Sequence, residues 1–78
     1  MNVSIEMKFY RFNYNIDHRI GGYTIEDILK EIEIDEWVEQ NLSPIRYEGT
    51  IAYRAEDMEM LSLRFGSLVN VYLYHEIL

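Results

Sequence analysis

Thr24–Leu42, TIEDILKEIEIDEWVEQNL, is the stretch of this chain with helical spacing, and the fold turns on how it is read. Ile25, Ile28, Leu29 and Ile32 follow the i, i+3, i+4, i+7 pattern of one apolar helix stripe. Thr24 is a predicted N-cap. Asp27, three residues on, can close a shortened capping box, and Gly21-Gly22 lets the chain turn in. After Ile32 the same template calls for apolar residues at 35 and 36, where Asp35 and Glu36 stand. The apolar set moves instead to Ile34, Trp37, Val38 and Leu42. The slip predicts two short helices, about 25–33 and 36–42, with Asp35 capping the second and Ser43-Pro44 ending it. The alternative is a short strand at Glu31–Asp35, EIEID, by its alternation.

The stretch carries seven acids, Glu26, Asp27, Glu31, Glu33, Asp35, Glu36 and Glu39, against Lys30 alone, half of the chain's fourteen. Asp27, Glu31, Asp35 and Glu39 lie four apart and would stack along one helix edge, each like-charge pair costing about 0.2–0.5 kcal/mol. Such a column is either a solvated face that keeps an apolar-rich protein dispersed or a surface that meets a basic partner.

At 78 residues the chain is expected to be one small domain, near the size where a single core supplies only a few kcal/mol. It has no cysteine, hence no disulfide or thiolate metal site. Seven tyrosines, three phenylalanines and Trp37 argue against disorder. The start, MNVSIEMKF, lacks a signal-peptide pattern, and no window approaches a membrane span, so a cytoplasmic location with no membrane contact is expected.

Outward from the helical stretch the chain reads as strands. Val3, Ile5, Met7 and Phe9 alternate with polar residues; the bulk then changes parity to Tyr10, Phe12 and Tyr14, which predicts a bulge near Arg11 or aromatics on both faces. Residues 15–22, NIDHRIGG, form a polar loop and a default binding loop. After Pro44, Ile45, Tyr47, Ile51 and Tyr53 suggest a second strand. Ala55–Asp57 is read as a turn, Met58–Phe65 as a third strand through Leu61, Leu63 and Phe65, and Leu68–Tyr74 as a fourth. Keeping apolar faces together pairs Phe65 with Val69, Leu63 with Val71, Leu61 with Leu73 and Ile51 with Leu61, and sets Glu48 opposite Arg64. The expected architecture is α+β: a four-stranded, mostly antiparallel sheet (strand, helical segment, three-stranded meander) with one kinked or broken helix packed on one face. The first strand joins beside either the second or the fourth.

No catalytic constellation emerges: there is no GxSxG, phosphate loop or HExxH. His18 in the loop and His75 near the C-terminus are isolated in sequence, no acidic set has metal-loop spacing, and neither a metal nor another cofactor is expected. A net charge of −7 opposes direct nucleic-acid binding. In size, acidity and lack of motifs the chain resembles the small inhibitor proteins made by phages, anti-CRISPR proteins and DNA mimics among them, a resemblance of type that covers no aligned residues.

Two functions are expected from different classes. One is a non-enzymatic inhibitor whose Asp27, Glu31, Asp35, Glu36 and Glu39, with Trp37 as aromatic anchor, dock onto a basic protein partner such as a nucleic-acid-handling protein. The other is an assembly module that forms a homodimer through a tyrosine-methionine sheet face, Met60, Tyr72, Leu73 and Tyr74, or through the edge of the fourth strand.

Overall fold

A computed structural model of the chain describes residues 7–16, 22 and 24–77. Their order is β1 (Met7–Tyr14), α1 (Ile25–Asn41), β2 (Ile45–Tyr47), β3 (Thr50–Ala52), α2 (Ala55–Phe65), a 3-10 turn (Gly66–Leu68) and β4 (Val69–Ile77). The fold is α+β, with two helices and two small antiparallel sheets in place of the expected single four-stranded sheet.

The helical stretch does not break. α1 runs through Asp35, so neither the two-helix reading nor the strand at Glu31–Asp35 holds. Its start matches the expectation: the Thr24 N–H donates to Asp27 Oδ2 at 2.8 Å, and the Asp27 N–H donates to Thr24 Oγ1 at 3.3 Å. The helix ends at Asn41, just ahead of Ser43-Pro44. Continuity is possible because the slipped stripe is a rotation of the apolar face and not a fault in the backbone. Ile34, Val38 and Leu42 turn to the core, while the isoleucines before them point elsewhere.

The expected second strand is a hairpin. Tyr47 pairs with Thr50 across Glu48-Gly49, and both turn residues have positive φ, 49° and 79°. This is the signature of a two-residue type I′ turn, whose twist matches that of the strands. The third strand is a helix. Met58 and Leu61, at i and i+3, are buried, and Phe65 packs against them from the next turn, whereas Leu63 is 82% exposed. Glu56 and Asp57 in the first turn and Arg64 in the last complement the helix dipole. With α2 a helix, no meander exists and every predicted pairing to residues 58–65 falls, including Glu48 with Arg64.

β4 pairs instead with β1, from Tyr14↔Val69 to Met7↔Ile77. The register shifts between Phe9 and Tyr10, where Tyr74 of β4 is the extra residue. The bulge expected near Arg11 is not in β1, which has no extra residue; the change of parity is the other option, aromatics on both faces, with Phe9 on one side and Tyr10 and Phe12 on the other. A single bridge, Tyr10↔Tyr53, connects this ribbon to the end of the β2–β3 hairpin. Both sequence options for the first strand are thus met in part: β4 on one side, the residue after β3 on the other.

One core holds the helices to the ribbon. Ile34, Val38 and Leu42 of α1 and its cap meet Met58 and Leu61 of α2 and Val69 of β4, with Tyr10, Phe12 and Val71 packed from the sheet. Phe9, on the opposite parity of β1, is buried by a separate ring stack: Tyr47 lies 4.7 Å from Phe9, and His75 lies 4.8 Å from Tyr47 on its other contact. The end of α1 is also tied to the start of α2, where the Ser43 N–H donates to Asp57 Oδ2 at 3.2 Å. The Val3 and Ile5 half of the first strand, most of the 15–22 loop with His18, and Leu78 lie outside the described residues.

Candidate protein-binding surface

α1 presents two apolar faces that share one helix. At about 100° per residue, Ile25, Ile28, Leu29 and Ile32 project roughly opposite to Ile34, Val38 and Leu42. The exposures agree: Ile34 is fully buried, while Ile25, Ile28, Leu29 and Ile32 are 75%, 42%, 60% and 45% exposed. The stripe expected to form the core is therefore surface. The signal for this was the slip itself, because two apolar sets out of phase on an unbroken helix cannot both face one core.

The acids of α1 divide by face. On the domain side of its N-terminal half stand Asp27, engaged in the cap, and Glu31, both partly buried. Asp35 accepts a hydrogen bond from the Tyr14 hydroxyl, which fastens the middle of α1 to the end of β1. Glu33 is held by Lys30, Nζ to carboxylate oxygen 3.3 Å. Glu36 and Glu39 are exposed and continue the face of the isoleucine stripe through the next turns. Of the six residues picked from sequence, Glu36 and Glu39 stand fully outward and Asp35 stands outward but bonded. Trp37 is turned in, edge-on to Phe65 at 5.6 Å and 87°, so it supports the core.

Asp35 and Glu39 also border an open groove of about 310 Å³ whose floor and far wall are Phe12, Val38, Ile51 and Tyr53. The phenol groups here are electrostatically marked. Burial, then the hydrogen bond to Asp35, raises the Tyr14 hydroxyl above its usual range, and burial followed by the charge of Asp35 raises that of Tyr53. Both phenols stay neutral at physiological pH, and that of Tyr14 donates to the Asp35 carboxylate.

The four residues expected to mediate self-association do not share a face. Met60 is on α2, 45% exposed, while Tyr72, Leu73 and Tyr74 are on β4 and 36–47% exposed. Arg11 lies 5.6 Å over the Tyr74 ring. Among the described residues β4 has a partner strand on one side only, β1. Also among the described residues, no three His, Cys, Asp or Glu side chains are grouped to hold a metal, and no helix is long and apolar enough to cross a membrane. The chain matches no protein-family profile, no curated protein and no solved structure.

Proposed function

We propose that this chain is a non-enzymatic, acidic protein-binding module that docks through α1 onto a basic, nucleic-acid-handling surface of another protein and blocks it, in the manner of phage anti-defence proteins. The observation that carries this reading is the outward face of α1: Glu26, Glu36 and Glu39 are exposed there, and Lys30, the one cation of the helix, is already paired with Glu33. An exposed ion pair contributes only about 0.2–1 kcal/mol, so affinity has to come from several carboxylates acting together and has to fall with salt. The test is capture from a bacterial lysate at low salt, eluted stepwise with salt and with competitor DNA. A nucleic-acid-handling protein released by both, and lost with Glu36→Lys/Glu39→Lys, supports the reading; capture unchanged by that double substitution refutes it.

A second reading is favoured by β4, a nine-residue strand that among the described residues is paired on one side, with Tyr72, Leu73 and Tyr74 exposed. Open edges of this kind pair with other strands. It predicts a salt-resistant homodimer that Leu73→Lys dissociates.

A further inference from the structure

We infer that the exposed stripe Ile25, Ile28, Leu29 and Ile32 is a docking seam for a basic amphipathic helix of a partner protein, so that contact is made by an apolar seam with acidic borders and not by charge alone. This rests on the protein-binding reading above and specifies its partner. Two observations lead to it.

The first is the stripe's geometry. Four branched side chains at i, i+3, i+4 and i+7 on two helical turns, 42–75% exposed, are the anchor pattern by which one helix lies in a complementary apolar face. A capping box holds the N-terminal end of this segment and the Tyr14–Asp35 bond holds the turn beyond it, so the anchors sit on a fixed helix. Preformed anchors avoid the ordering cost that a flexible segment would incur on binding.

The second is charge, which selects the occupant. Glu26 and Glu33 lie on one flank of the stripe, Asp35 lies on the other, and Glu36 and Glu39 extend the face beyond Ile32. A second copy of this chain would bring the same five acids, Glu26, Glu33, Asp35, Glu36 and Glu39, against these, on molecules that each carry a net charge of −7. Like charges across an interface suppress pairing, whereas lysine and arginine flanking an apolar stripe would meet every acidic border. The complement of α1 is thus a helix with leucine-like residues at the same spacing and cations on both sides.

The test uses two labelled synthetic peptides of about 18 residues, five helical turns. One carries leucines at i, i+3, i+4 and i+7 among lysines; the other has the same composition in scrambled order. Binding to the full chain is read by fluorescence anisotropy in about 0.15 M salt, where long-range charge effects are screened. The patterned peptide should bind at least about tenfold tighter than the scrambled one. That preference should vanish in Ile28→Ser/Leu29→Ser and persist in Leu63→Ser, an equally solvent-facing change on α2, with circular dichroism confirming that all three proteins are folded. Equal binding of the two peptides, lost with Glu36→Lys/Glu39→Lys, overturns the seam and leaves the acidic-face reading standing. Binding by neither peptide overturns both. A dimer in sedimentation that Ile28→Ser/Leu29→Ser dissociates assigns the stripe to a second copy and overturns the inference.

Discussion

Tyr10 and Tyr53 exchange both of their backbone hydrogen bonds, each N–H donating to the other's carbonyl at 2.8 Å. These two residues are where the β1–β4 ribbon meets the β2–β3 hairpin, and Tyr10 is also where the register of β1 against β4 shifts. The bulge at Tyr74 re-aims the sheet just where Tyr10 must serve two neighbours, as bulges do when a strand bends.

Removing one donor at this junction should loosen the hairpin while leaving the backbone bonds of both helices in place. Tyr53→Pro abolishes one of the two bonds and leaves the Tyr10 carbonyl without its protein partner, a loss of about 1–3 kcal/mol. Tyr53→Phe keeps both backbone bonds and should lose less. Chemical denaturation of the two variants checks this: equal midpoints would mean that neither the bridge nor the Tyr53 ring, which Tyr53→Pro also removes, contributes.

α2 yields a sharper contrast between neighbours of the same type. Leu61 is fully buried and Leu63 is 82% exposed, although a strand reading places them on one face. Leu61→Ala should cost about 2–5 kcal/mol, comparable to the whole stability of so small a domain, so that the variant is largely unfolded at room temperature. Leu63→Ala should stay within about 0.5 kcal/mol of the parent. Similar thermal midpoints for both would place Leu63 in the core and contradict the helix.

The same pair shows why part of the fold was legible in the sequence and part was not. Thr24, Asp27 and Pro44 act locally, and the helix start and stop they predict are present. Met58–Phe65 satisfies both periods, since Leu61, Leu63 and Phe65 alternate while Met58, Leu61 and Phe65 follow a helix; only the core decides, and it takes Met58. Glu48-Gly49 was hidden by its first residue, because glutamate at φ 49° is unusual where asparagine or aspartate is the common turn signal. For the surface, charge was readable and direction was not. Glu36 and Glu39 face out as composition suggests, but Trp37 faces in and the best amphipathic stripe faces away from the core, which follows from contacts made by Ile34 and Val38 that no local pattern reveals.

Tyr14 ties charge to stability through pH. Its hydroxyl is raised above the ordinary tyrosine value of 10.0, first by burial and then by donating to Asp35. The unfolded chain therefore gives up this proton at lower pH than the folded chain does. The sign follows from linkage: the contribution is complete below about pH 10 and is lost as pH rises toward the folded value, because there the folded state binds more protons than the unfolded. Tyr53 shifts in the same direction, again mainly through burial, so the parent protein should lose stability through both phenols in alkaline solution. Tyr14→Phe removes one of the two. At neutral pH it should cost about 0.5–1.5 kcal/mol, the net worth of one hydrogen bond whose acceptor can return to water. Above about pH 10 its stability should decline less steeply than the parent's, and the two curves should converge. Denaturation midpoints followed from neutral to alkaline pH check this, and parallel curves would show that the Tyr14–Asp35 bond is not made in solution.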